Sequence, residues 1–114
     1  MLLGDEWLVE AFGCDGQLLQ DRDRLEALAE ALCDELRLKV LQRLWHPFPS
    51  PGGVTGLYLL AESHLAIHTF PEFRSATFNL YCCRARPEWP WQEALERALG
   101  AERVSVRKIS RGRA

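Results

Sequence analysis

Apolar and polar positions alternate along this chain with two periods, and the switches between them outline its elements. Residues 7–12 read as a strand, ended by Gly13-Cys14-Asp15-Gly16. Leu25, Leu28, Ala29, Leu32 and Leu36 then recur at helical spacing, with Arg24, Glu30, Asp34 and Arg37 on the opposite side. Asp23, followed three residues later by Glu26, predicts a capping box at the start of that helix, and Cys33 borders its apolar stripe as a packing residue. A second strand is predicted over 39–45. Residues 47–53 hold three prolines and two glycines and must be a loop. Strands follow at about 54–61, 64–70 and 75–83. In the last of these Ala76, Phe78, Leu80 and Cys82 alternate with Ser75, Thr77, Asn79 and Tyr81, so Cys83 falls on the more polar face. Pro90 and Gly100 bracket a second helix over 91–99, and a final strand spans 103–109.

Two helices and a run of hairpin-linked strands predict an α+β fold: a two-layer α/β sandwich, mainly antiparallel, with both helices on one face of the sheet. At 114 residues the chain is expected to be a single domain, 1–114. Such a sheet leaves a face or an edge uncovered, which makes a homodimer a reasonable expectation.

Composition narrows the class. Apolar residues make up 47% and charged residues 26%, an ordinary globular balance. The net charge of −2 argues against nucleic acid as a partner. Arg103, Arg107, Lys108, Arg111 and Arg113 form a local basic run, read as a solvated strand edge and tail. No apolar run approaches the ~20 residues of a membrane span, and the acidic start lacks the pattern of a signal peptide, so a cytoplasmic protein without membrane contact is expected. The 4 cysteines, Cys14, Cys33, Cys82 and Cys83, lack disulfide-framework spacing and read as thiols of a reducing compartment.

The chemistry concentrates in Glu62-Ser63-His64-Leu65-Ala66-Ile67-His68-Thr69-Phe70-Pro71-Glu72. A hydroxyl nucleophile, two imidazoles and two carboxylates share one short, half-apolar segment, where titratable rings are costly without partners. If the run is extended, Ser63, Leu65 and Ile67 share one face, and His64, Ala66 and His68 the other.

This segment resembles the processing site of the small prokaryotic S-adenosylmethionine decarboxylases. His46-Pro47-Phe48 and Gly53-Val54-Thr55-Gly56 resemble that family's aromatic loop and its Gly-Val-Ser-Gly turn. Cys83 stands where the family carries its catalytic cysteine. Residues 8–12 and Cys14-Asp15 are weakly similar to its amino-terminal strand.

The resemblance implies cleavage between Glu62 and Ser63, giving chains 1–62 and 63–114, with Ser63 converted to a pyruvoyl cofactor that forms a Schiff base with a substrate amine. It implies His68 as the base of processing, Thr55 as the processing hydroxyl in place of the usual serine, and Cys83 as the proton donor of turnover, with Cys82 its neighbouring rival. Phe48, Phe70 and Glu72, together with Leu65, are the substrate contacts it implies for a small amino-acid-type substrate. It implies dimers of cleaved protomers in polyamine synthesis.

Several positions depart from the family pattern. Asn79 replaces the usual aspartate, Cys82 a threonine and Arg84 a glycine; the loop at 49–51 is one residue longer, and Trp7 falls near a usual histidine. They gather near the substrate end, which leaves arginine or ornithine as alternative substrates for the same chemistry. His64 is read as holding the turn through a backbone hydrogen bond, and His46 as structural. A zinc module built from His64, His68 and a thiol is the rival of another class, although His-x-x-x-His is usually used on a helix and this backbone favours a strand; no metal site is expected. A serine hydrolase lacks its Gly-x-Ser-x-Gly elbow.

Overall fold

The computed structural model describes residues 1–112; Arg113, the last member of the basic run, lies outside them. The elements are β1 (Leu2–Phe12), α1 (Arg22–Glu35), β2 (Val40–Pro47), β3 (Val54–Leu60), β4 (Ser63–Phe70), β5 (Ser75–Cys82), α2 (Trp91–Leu99) and β6 (Arg103–Gly112), with short 3-10 turns at Leu18–Gln20 and Pro71–Phe73. The strands form one six-stranded sheet in the order β2-β3-β4-β5-β1-β6, with every neighbouring pair antiparallel. Both helices cover the same face: Leu25, Leu28, Ala29 and Leu32 from α1 and Trp91, Leu95 and Leu99 from α2 share one core with the inward rows of the sheet. This is the two-layer α+β sandwich expected from the pattern.

Period-2 alternation and register together build that core. Trp7 lies opposite Leu80, Leu80 opposite Leu65 and Leu65 opposite Tyr58, so four strands contribute one buried row. The next row runs Val9, Phe78, Ile67 and Gly56. Gly56 is required there because a Cβ would come within 2.5 Å of the Trp45 ring, which packs across the bare backbone.

Three local expectations need correction. The helix α1 is capped by Asp21, whose carboxylate accepts from the Arg24 N–H at 3.1 Å, and not by an Asp23–Glu26 box. Two aspartates compete for the cap, and Asp23 ends up in the first turn, where it opposes the positive end of the helix dipole. The strand β1 begins at Leu2, well before residue 7, because its first half pairs with β5 and the end of β6; partners rather than apolar alternation make it a strand. The same pairing carries β6 on to Gly112. Finally, β5 stops at Cys82, which leaves Cys83 just beyond the sheet.

Candidate active site

The strand β4 has chemistry at both ends. Its first residue, Ser63, follows the two-residue turn Ala61-Glu62 that joins β3 to β4, with Leu60 opposite Ser63. The turn is tied down on both sides. The Ala61 N–H donates to the Lys39 carbonyl at 2.9 Å, and the Cys83 N–H donates to the Glu62 carbonyl at 3.0 Å. That second bond polarises the carbonyl that a Ser63 hydroxyl would attack. Arg84 grips the Glu62 carboxylate, Nε to Oε2 at 2.6 Å.

Ser63 lies directly across from Cys82, on the helix side of the sheet. Burial pushes the Cys82 thiol up, while the Arg86 guanidinium and a hydrogen bond with Ser63 pull it back. Cys83 is exposed, with its thiol near the Tyr81 hydroxyl. Alternation therefore gives Cys82 and not Cys83 to the side on which the Ser63 hydroxyl lies.

His68 sits five residues further along β4 and on the other face, where its Nδ1 is hydrogen-bonded to Thr55 Oγ1 at 3.1 Å. At ~3.3 Å per residue that end is about 17 Å from Ser63. Gly53 starts the approach of β3 because a side chain there would run into the Thr69 carbonyl. Buried Thr69 fixes the corner: its hydroxyl donates to the Leu19 carbonyl at 2.7 Å and accepts from the Val54 N–H at 2.8 Å. Phe70 is partly exposed beside it, and Phe48 is 50% exposed, edge-on to His46 at 4.6 Å between ring centroids. Glu72 is exposed in the 3-10 turn that follows, beside a groove it shares with Asp15, Gly16 and Gln20.

The residues singled out in the sequence thus fall into two groups. Glu62, Ser63 and Cys83 meet at one end; Thr55 and His68 meet at the other, with Phe48, Phe70 and Glu72 beyond them. Within one protomer the groups do not touch. Leu65 belongs to neither: it is 1% exposed, and the alternation that puts Ser63 on the helix side packs the Leu65 side chain into the core. His64 and His68 share a face but are separated by about 13 Å of extended strand, too far to ligate one ion.

One cluster escaped the sequence reading. His64 does not bond the turn backbone; its Nε2–H donates to Asn79 Oδ1 at 3.0 Å, and its ring stacks on Tyr81 at 5.7 Å. The Asn79 amide donates to Glu6 at 2.7 Å, and Arg111 donates to the same carboxylate at 2.8 Å. The Asn79 hydrogen bond, with help from Arg111, holds the Glu6 carboxyl below its ordinary value against the opposing effect of burial. Its signal was the departure at Asn79, an uncharged residue able to donate to one partner and accept from the other.

Comparison with known proteins assigns this architecture to a class. The crystal structure of the adenosylmethionine decarboxylase from Aquifex aeolicus superposes with a TM-score of 0.82 at 26% identity, covering 99% of this chain and 93% of that one. Proteins named S-adenosylmethionine decarboxylase proenzyme are similar in sequence as well. The one from Pelotomaculum thermopropionicum is 34% identical over 112 residues, 96% of this chain and 87% of the relative. The one from Clostridium kluyveri is 32% identical with the same coverage. Fold and sequence both define a decarboxylase. The sequence profile of S-adenosylmethionine decarboxylase matches residues 5–112, and the chain belongs to that family.

Proposed function

We propose that the protein cleaves itself between Glu62 and Ser63 and then decarboxylates S-adenosylmethionine, as a homodimer of processed protomers in polyamine synthesis. The observation that carries the reading is the Glu62-Ser63 turn. A serine stands at the start of a strand, immediately after a carbonyl already held by the Cys83 N–H at 3.0 Å. A pyruvoyl group made from Ser63 fits this position, because it would form at a free strand start beside a cavity and not inside the core. When formed, that group supplies the carbonyl that takes up a substrate amine and the electrons released with carbon dioxide.

The chain's own residues do the rest. Cys83 N–H is positioned to stabilise the negative oxygen of the acyl shift. His68 supplies an imidazole for proton removal, and Thr55 fixes the orientation of its ring through Nδ1. A thiol, Cys83 by resemblance, returns a proton in turnover. Exposed Phe48 and Phe70 offer rings for an adenine, and Glu72 offers a carboxylate for ribose hydroxyls. The names of the relatives favour S-adenosylmethionine over arginine or ornithine.

Two features support the dimer. The sheet face opposite the helices is uncovered and carries Leu44, Leu57 and Leu59 at 45–66% exposure around an apolar groove. In addition, ~17 Å separates His68 from Ser63. A second copy whose His68 reaches the partner's Ser63 would supply both groups to one centre. Four free thiols, three of them buried, support a reducing, cytoplasmic setting; among the described residues no helix is long and apolar enough to cross a membrane.

Intact mass of the denatured protein tests the reading. Two chains split before Ser63 are expected, the second ending in a pyruvoyl group, and Ser63→Ala should remain whole and inactive. A cleaved, active Ser63→Ala protein would end it. Reductive trapping with S-adenosylmethionine, arginine and ornithine in separate tubes then identifies the substrate by the tube whose Ser63-derived chain gains mass.

A further inference from the structure

Ser63 and Glu62 border a cavity of about 200 Å³ that is also lined by Arg37, Lys39, Arg84 and Arg86. In a chain of net charge −2, four cations here face a single carboxylate. Arg84 is paired with that carboxylate, Glu62. Among the described residues, the side chains of Arg37 and Lys39 have no ion pair or hydrogen bond. Arg86 donates once, to the carbonyl of its neighbour Ala85 at 3.1 Å, and its buried Nε–H has no partner. Unpaired cations gathered around one cavity, one of them with a buried orphan donor, describe a site prepared for an anion.

The backbone adds an independent sign. The helix α1 ends in a Schellman turn: Leu38 N–H bonds the Cys33 carbonyl at 2.7 Å, and Arg37 N–H bonds that of Asp34 at 3.0 Å. The residue in the left-handed position of such a turn is usually glycine. Here it is Arg37, at φ 56°. An arginine set against the backbone preference, with its side chain at this cavity, points to a use for the side chain.

We propose that this cluster is a receptor for the carboxylate that self-cleavage creates at Glu62. The inference rests on the self-processing reading above. In that sequence Ser63 Oγ attacks the Glu62 carbonyl carbon, and the C–N bond breaks with a proton delivered to nitrogen, leaving an ester and a free amine. A base then removes the Ser63 Cα proton and the Cβ–Oγ bond breaks. Both electrons of that bond leave with Oγ, which departs as part of a new Glu62 carboxylate. The remaining dehydroalanine rearranges to an imine, and water hydrolyses it to the pyruvoyl group and ammonia. A full negative charge therefore appears at Glu62 in the elimination step, next to three cations that lack a carboxylate partner. The Cys83 N–H already holds one of the two oxygens that will carry it. An internal carboxylate is favoured over a free small anion because Arg84 already anchors Glu62 in the cavity, so the charge forms in place. Lys39, Arg84 and Arg86 stabilise the leaving group as it forms and then retain the new chain end.

The test follows freshly made, uncleaved protein by intact mass, with and without hydroxylamine, which splits the ester but not the peptide. Lys39→Gln and Arg86→Gln should each slow formation of the two chains by about tenfold, the scale set by removing one nearby charge from a partly screened site. The double variant should be slower still. In each, a full-mass species that hydroxylamine cuts before Ser63 should accumulate, while Lys39→Arg and Arg86→Lys keep the parent's rate and melting temperature. Unchanged cleavage in the double variant overturns the proposal, and so does slow cleavage without hydroxylamine-sensitive protein, because the defect then precedes elimination. A parent chain that never cleaves, with no ester, fails in a different way: it removes the self-processing reading and the receptor with it.

Discussion

The two ends of β4 are built from different materials. At the Ser63 end the groups are ionic: a carboxylate gripped by one arginine, three more cations, and a carbonyl held by a backbone N–H. At the His68 end they are an imidazole hydrogen-bonded to a threonine, two exposed aromatic rings, and a hydroxyl buried at the corner, with the Glu72 carboxylate beyond. One end suits bond-breaking that creates charge. The other suits proton handling and the docking of a flat apolar group. A straight strand keeps them about 17 Å apart, so a fold that needs both at one centre must obtain one of them from a second copy.

Mixing protomers would break that comparison most visibly. His68→Ala alone should lose about 10²-fold or more in cleavage rate, the usual scale for a general base. Co-produced with Ser63→Ala, which keeps its own His68, the His68→Ala chain should be cleaved again, because its Ser63 can meet the partner's imidazole. Mass spectrometry distinguishes the two chains. Mixed dimers whose His68→Ala chain remains whole would mean that the two ends meet within one protomer.

The thiols sharpen the same contrast. Cleaved Cys83→Ala should turn over about 10²-fold more slowly, with processing intact, if the exposed thiol is the acid of turnover. Cys82→Ala should change turnover little, since that side chain is buried in the core. The reverse result would put the reaction on the helix side of the sheet, where residue 63 lies opposite Cys82.

How much of this was legible depended on whether the signal was local. The sandwich was legible because strand alternation and the α1 stripe are short-range patterns, and because the segment from Glu62 to Glu72 carries its chemistry in consecutive letters. The Asp21 cap was missed because two aspartates offered equivalent spacing. The amino-terminal half of β1 was missed because Leu2 to Glu6 become a strand by pairing with β5 and β6, far along the chain. The same holds for the site. The sequence put Ser63 and His68 in one motif, yet their faces and separation follow from register. The link Glu6–Asn79–His64 joins three strands, and only the departure at Asn79 hinted at it.

Beneath the sheet, Tyr58 offers a control with no stake in the reaction. Its hydroxyl donates to Glu30 at 2.5 Å, and Arg43 holds the same carboxylate at 2.7 and 2.8 Å. Tyr58→Phe should cost about 1 kcal/mol of stability, the net worth of one hydrogen bond whose acceptor keeps another partner, and leave cleavage unchanged. Arg43 first, then Tyr58, hold the Glu30 carboxyl below its ordinary 4.5, against burial. A depressed folded value means that this stabilisation is complete above 4.5 and disappears as pH falls through the folded value. Acid melts should therefore diverge from the neutral ones only below that point, with a shallower fall in Tyr58→Phe. A steep loss near neutrality would place the sensitive group elsewhere.

The smallest effect bears most closely on the cation cluster. At φ 56° Arg37 occupies a conformation that costs a residue with a Cβ roughly 1 kcal/mol. Arg37→Gly removes that strain and should raise the melting temperature of the uncleaved Ser63→Ala background by about 4 °C, the shift ~1 kcal/mol gives a domain of this size. In the Ser63 parent the same change removes one of the cavity's cations and should slow cleavage by about two- to threefold, less than Arg86→Gln, whose Nε–H is buried, since an exposed side chain is well screened. Stability and processing should thus move in opposite directions from a single substitution. A stabilised variant that cleaves at the parent's rate would show that Arg37 is only a strained surface residue and would reduce the receptor to Lys39, Arg84 and Arg86. A variant that is neither stabilised nor slowed would remove the argument from backbone strain altogether.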